Sequence, residues 1–125
     1  MNGNRFLLDT NVIISLLQGN DAILQILRET EWVGISVISK LEYLSLPDLP
    51  KRDESLFAEF LRRVCVVSLY EEQTDLIEEI IHIRKRYRLK LPDAVIAASA
   101  IWSGAVLLTA DQDFRKVERL TLAIP

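Results

Sequence analysis

Four acidic residues each break an apolar segment close to where a structural element should end. They are Asp9 in LLDTNVII, Glu42 in SVISKLEYL, Asp93 in LKLPDAVIAASA and Asp111 in LLTADQDF. A carboxylate among apolar neighbours is costly to bury alone, so it should be paired, hydrogen-bonded, protonated or bound to a metal. For any one of the four, a salt bridge is the commonest solution. Asp9 and Asp93 also suit an N-cap or the first turn of a helix. Taken as a set, the four acids point to a shared site. Asp and Glu clustered without His select hard cations, Mg²⁺ or Mn²⁺. Without a metal such carboxylates repel one another, so one should carry a proton at neutral pH or the site should loosen.

Other chemistries lack their parts. His82, the single histidine, lies among charged residues and is expected to be exposed, so a Ser-His-Asp or Cys-His mechanism has no obvious base. There is no Gly-rich phosphate loop and no Cys/His cluster for zinc. Cys65 stands among Val64, Val66 and Val67 and reads as a buried structural thiol. One cysteine excludes an internal disulfide and fits a reducing cytosol. The net charge of −3 argues against a chain that coats nucleic acid. A local basic run remains, RKRYRLK from Arg84 to Lys90, whose usual meaning is the solvated end of a helix.

The elements that must position the acids follow from the apolar pattern. The 125 residues suffice for one core, so residues 1–125 read as a single domain. Half of them are hydrophobic and 26% are charged, as in a soluble globular protein. No apolar run is long enough to span a membrane. The stretch after Arg5 is interrupted by Asp9, so no secretory leader is expected and the cytoplasm is the natural compartment. RFLLD, WVGIS, VCVVSL, AVLLT and TLAI read as strands buried on both faces. Helical spacing begins at Asn11 and recurs over about Asp21 to Arg28, Val37 to Leu46 and Ser55 to Arg63. Leu76, Ile77, Ile80, Ile81 and Tyr87 mark the inner side of a long amphipathic helix. Pro92 suits the first turn of the next helix, with Gly104 as its stop. SLPDLPKRDES, with two prolines and a charge cluster, is the one clear loop. Alternating β and α implies an α/β fold: a three-layer α/β/α sandwich around a mostly parallel sheet of four to five strands.

In such a sheet, ligands bind outside the carboxyl ends of the strands. Asp9 ends the first strand, and Asp111 follows the strand AVLLT by one residue. Glu42 has Ile38 and Leu46 one turn to either side and Leu41 adjacent, which places it on or beside the apolar stripe of its helix.

Taken in order, these four motifs resemble those of PIN-domain ribonucleases, and most closely the single-domain VapC-type toxins of toxin–antitoxin pairs. The resemblance covers nearly the whole chain. D-T-N alone is weak, but D-T-N after a strand, S-x-x-x-x-x-E, P-D-A-x-I-A-A and T-A-D-x-D-F together are specific. The resemblance implies that Asp9, Glu42, Asp93 and Asp111 are catalytic, metal-binding carboxylates. Asn11 and Thr109 match supporting polar positions, and Asp113 matches an additional acid. It implies a Mg²⁺- or Mn²⁺-dependent endoribonuclease, with one or two ions, acting on RNA. It further implies a homodimer silenced by a small antitoxin. Pro47 to Ser55 matches no motif.

Thr10 is expected to cap or steady the turn, and Thr109 to hold the loop that carries Asp111. Arg84, Arg88 and Lys90 are candidates for phosphate contacts because they precede Asp93. The alternatives are a PIN-like RNA-processing or binding module without a toxin role, and an aspartate-dependent phosphatase. The phosphatase wants a second Asp two residues after the first, where this chain has Asn11. A receiver domain needs an acceptor Asp after the third strand, which here runs into Tyr70 and Glu71. Apolar faces around Ile23, Ile26 and Leu27, or around Ile101 and Trp102, offer more surface than one small core would bury.

Overall fold

The computed structural model describes residues 4–125. Eleven helices and strands follow in the order β1 (Arg5–Leu8), α1 (Thr10–Leu17), α2 (Asp21–Arg28), β2 (Trp32–Ser36), α3 (Val37–Leu44), α4 (Lys51–Leu61), β3 (Cys65–Val67), α5 (Thr74–Tyr87), α6 (Leu91–Trp102), β4 (Val106–Leu108) and β5 (Leu122–Ala123). A short 3-10 helix, Gln112–Lys116, lies between the last two strands. The strands form one sheet in the order β3-β2-β1-β4-β5, and every neighbouring pair is parallel.

Side chains that alternate along a strand point to opposite faces, and the core is divided accordingly. Leu7 and Leu107 pack on one side with α5, α6, Phe114 and Val117. Leu8, Ile35 and Leu108 pack on the other with Val12, Ile13, Ile23, Tyr43 and Phe57, from α1 to α4. Helices thus cover both faces of the sheet, giving the expected α/β/α layers. Strand β4 is wholly apolar and β1 is apolar after Arg5, as expected where both faces of a strand are covered. Among the described residues, no helix is long and apolar enough to cross a membrane.

Four expectations change. The loop SLPDLPKRDES is shorter than it reads, because α4 already starts at Lys51. Pro50 takes the N-cap position, and Asp53 and Glu54 fall in the first turn, where acids favour the helix dipole. Ile81 is 48% exposed, and Ile83 rather than Ile81 completes the buried stripe of α5. Cys65 is exposed because it begins the edge strand β3, which has a neighbour on one side only. Ile23 belongs to the core and is not surplus surface, whereas Trp102 remains exposed.

Gly34 requires its missing side chain. The Trp32 indole lies against it, so that a Cβ on Gly34 would collide with the ring at Trp32 Cη2. The indole also carries the Arg5 guanidinium, 4.4 Å from the ring centre, and Arg5 in turn donates two hydrogen bonds to Ser103 O at the end of α6. Gly34→Ala is therefore expected to displace the indole and cost about 1–3 kcal/mol. Urea unfolding with tryptophan emission reads both effects, and an unchanged midpoint with unchanged emission would refute this packing.

Candidate metal centre

Strand β1 lies between β2 and β4, so the order reverses at β1 and opens a crevice at the carboxyl ends of β1 and β4. Asp9 sits in that crevice. It leaves β1, donates its N–H to Leu108 O at 3.0 Å, and serves as the N-cap of α1. The cap role expected of the turn thus belongs to Asp9. Its Oδ1 accepts from Thr10 N at 2.8 Å. Its Oδ2 accepts from the Thr109 hydroxyl at 2.7 Å. Asp9 is only 5% exposed, and each oxygen takes a protein hydrogen bond.

Thr109, 1% exposed just beyond β4, has a second task. Its Oγ1 accepts the N–H of Asp111 at 3.0 Å, which ties the loop after β4 to Asp9. Asp111 caps the 3-10 helix, with its Oδ1 accepting from Asp113 N at 2.9 Å. Asp93 stands half-buried in the first turn of α6, next to Pro92, in the position the sequence suggested.

Glu42 differs from expectation. It is exposed, and the buried positions of α3 are Ser39 and Tyr43. The apolar Leu41 and Leu46 face outward. The face of α3 is set by Tyr43, whose ring stacks on Phe57 at 4.2 Å, and not by its leucines. Glu42 is held from α1: Oε1 accepts from the Thr10 hydroxyl at 2.6 Å.

Asp9, Glu42, Asp93 and Asp111 line one cleft of about 440 Å³, together with Thr10, Asn11, Ile14, Ser45 and Leu46. Four of these residues, Thr10, Ile14, Ser45 and Leu46, were not singled out as site-lining from sequence; Ser39, which does not line the cleft, stands behind Thr10. The available signal was Ser39, a small polar residue one turn before Glu42. Asp113 is exposed and does not line the cleft; its part is the backbone bond to Asp111. Nor do Arg84, Arg88 or Lys90 line it. The Arg84 guanidinium holds Leu89 O at 2.9 Å, and Arg88 closes α5 in a left-handed conformation. Only the charge of Lys90 reaches Asp93. His82 is exposed, as expected.

Both ion pairs among the described residues, Arg62–Glu59 and Arg119–Glu79, leave the four acids without a basic partner. Burial pushes the Asp9 carboxyl above the usual carboxylate range, against the pull of the Thr109 and Thr10 hydrogen bonds, and the charges of Asp111 and Glu42 push it further. Burial also raises Asp93, helped by the charges of Asp9, Asp111 and Glu42 and opposed by Lys90. The cleft is thus a concentration of negative charge that lacks a counter-charge of its own.

An all-oxygen set of carboxylates with an amide and hydroxyls beside it has the donor chemistry of a Mg²⁺ or Mn²⁺ site. Among the described residues no three such side chains converge into a ready-made cage. Mg²⁺ retains several waters and needs few direct ligands, so a ready-made cage is not required. The residues present fit a hard, partly hydrated cation.

The family model described as PIN domain matches residues 6–120, and the chain belongs to that family. Among solved structures, a toxin–antitoxin complex from Klebsiella pneumoniae is 27% identical, with a TM-score of 0.76 over 92% of this chain and 94% of that one. VapBC2 from Rickettsia felis, bound to a DNA fragment from its promoter, is 22% identical, with a TM-score of 0.78 over 96% of this chain and 98% of that one. DNA-bound VapBC from Salmonella typhimurium is 22% identical, with a TM-score of 0.78 over 96% and 97%. No curated protein sequence gives a significant match.

The raised carboxyls fix a sign. A folded-state pKa above the unfolded value means that the folded protein binds the proton more tightly. Stability is therefore gained as pH falls from neutral towards the ordinary carboxylate range, about 4, and lost as pH rises through the raised value. Asp93→Asn removes one of these charges. In EDTA at neutral pH the variant is expected to melt higher than wild type, with the difference shrinking towards pH ~4. Calorimetric melting across that range checks it, and a lower-melting variant at neutral pH would contradict the electrostatics described.

Proposed function

We propose that this member of the PIN domain family is a Mg²⁺- or Mn²⁺-dependent endoribonuclease and the toxin of a toxin–antitoxin pair. The whole chain, residues 1–125, would act as one unit in the cytoplasm. The observation that carries the nuclease reading is that Asp9, Glu42, Asp93 and Asp111 all line one cleft and have no basic ion-pair partner among the described residues. The toxin reading is supported by likeness to the VapBC and toxin–antitoxin complexes of Rickettsia, Salmonella and Klebsiella.

In this reading the four carboxylates hold one or two cations. A bound cation would neutralise the scissile phosphate and acidify an attacking water, the usual chemistry of metal-dependent hydrolysis. The chain's own residues do the rest. Asp9, fixed by two hydrogen bonds and shielded from solvent, gives the site its rigid corner. Thr109 keeps the Asp111 loop in register with Asp9. Asn11, on the cleft wall, presents an amide that can orient a phosphate oxygen or a water. Asp113 supports Asp111 through its backbone N–H. Of Arg84, Arg88 and Lys90, Lys90 is the candidate for the RNA backbone whose charge acts at Asp93. Arg88 is exposed and remains a candidate for such a contact, while Arg84 is committed to Leu89 O.

Exposed apolar side chains, among them Leu24, Leu41, Leu44, Leu91 and Trp102, supply surface for an antitoxin and for a second copy in a homodimer.

Outer hydrogen-bonding partners of a metal site typically matter by ~10–100-fold in affinity or activity. Replacing a carboxylate that binds the metal should matter more. Asp9→Asn and Asp93→Asn are each expected to reduce Mg²⁺-dependent RNA cleavage by more than ~100-fold. EDTA should abolish it in wild type. Induced expression of wild type alone should arrest growth, and Asp9→Asn should relieve the arrest. Cleavage by Asp93→Asn at the wild-type rate would sink the assignment.

Thr109→Val separates support from ligation. The substitution keeps volume but leaves Asp9 Oδ2 without its donor at a buried site. It is expected to lower stability by about 1–3 kcal/mol and activity by ~10–100-fold, less than loss of Asp9 itself. Equal activity in wild type and Thr109→Val would show that the hydroxyl has no part in the site.

A further inference from the structure

Thr10 was expected to act within its own turn, but its hydroxyl reaches across to α3. Thr10 Oγ1 lies 2.6 Å from Glu42 Oε1 and 2.9 Å from Ser39 Oγ. A hydroxyl has one proton to give. The shorter contact, to a carboxylate that carries no other protein donor among the described residues, takes it, because hydrogen bonds to ionised acceptors are the stronger ones. Thr10 must then accept from Ser39. Ser39 is fully buried, so its proton needs a partner inside the protein. The common alternative for a helical serine is the carbonyl four residues back, as Ser99 does with Val95 O at 2.7 Å. No such bond is made by Ser39 among the described residues, whereas Thr10 Oγ1 is within reach.

We propose that Thr10 is a positioning residue for Glu42: a hydroxyl relay from Ser39 through Thr10 to Glu42 Oε1 holds this carboxylate on the wall of the acid cleft and leaves Oε2 for the cation. The relay solves a specific problem. Glu42 is exposed and long, and the charges of Asp9, Asp93 and Asp111 would drive it out towards solvent. Nothing on α3 itself restrains it. Thr10 can restrain it because Asp9, the cap of α1, places Thr10 at the first helical position, directly beside the cleft. The first and second acidic motifs are thereby joined across 32 residues of sequence.

The inference rests on the metal-dependent reading, and the test keeps the two apart. Mn²⁺ affinity is measured by isothermal calorimetry on the full chain, with melting in EDTA as the folding control. Thr10→Val is expected to weaken Mn²⁺ binding by ~10–100-fold, and Thr10→Ser to stay within about threefold of wild type. Ser39→Ala leaves Thr10 in place and is expected to weaken binding by at least about threefold; it carries the test if Thr10→Val fails to fold. In the Glu42→Gln background, Thr10→Val should cause no further loss, because the pair acts as one unit. Wild-type affinity in Thr10→Val or in Ser39→Ala, with Asp93→Asn unable to bind, overturns the relay and leaves the metal reading standing. Wild-type affinity in Asp93→Asn overturns both. A full additional loss from Thr10→Val on Glu42→Gln would show that the hydroxyl acts elsewhere, and overturns the assignment to Glu42.

Discussion

A carboxylate kept almost out of contact with water is the constraint on which the rest of the mouth of the sheet depends. Asp9 can hold a charge at 5% exposure only because Thr10 N and the Thr109 hydroxyl each donate to one of its oxygens. Those donors come from α1 and from the loop after β4, so satisfying Asp9 locks three segments together. The same Thr109 oxygen receives Asp111 N, and Asp111 receives Asp113 N. The hydrogen bonds that make Asp9 tolerable therefore also place the next acid along.

The fold makes this corner stiff. Strand β1 is paired on both sides, and its alternate residues Leu7 and Leu8 anchor the two separate cores. Asp9 follows immediately, at the point where chain connections depart to opposite sides of the sheet. Asp93 arrives from α6, whose residues Ala94 to Ala100 are all buried. Its carboxylate is thus carried by one of the most enclosed helices in the molecule. Glu42 is the one exposed member of the four, and the Thr10 hydroxyl is its side-chain hydrogen-bond partner among the described residues. Burial and mutual repulsion disfavour the charges of Asp9 and Asp93, and a divalent cation is the simplest species that relieves both.

Much of this was legible in the sequence. WVGIS is β2 residue for residue, and the other apolar runs each contain their strand, because strands buried on both faces cannot hide among polar residues. Asp9, Asp93 and Asp111 could be placed because each follows or precedes an element end. What failed depended on tertiary context. The period of α3 revealed leucines but not which side met the core, which the Tyr43–Phe57 stack decides. Cys65 looked buried among valines because nothing local announces an edge strand. Pro50 read as loop where it caps α4. The bond from Thr10 to Glu42 joins residues too far apart in the chain for any local rule to pair them.

The central claim is that the four acids hold a divalent cation between them. Anomalous diffraction at the manganese edge, from crystals grown with Mn²⁺, tests it without reference to substrate or activity. The account predicts an anomalous peak in the cleft bounded by Asp9, Glu42, Asp93 and Asp111, and its loss in Asp93→Asn crystals. An empty cleft at saturating Mn²⁺, or a peak only at other carboxylates such as Glu78 and Glu79, would contradict it.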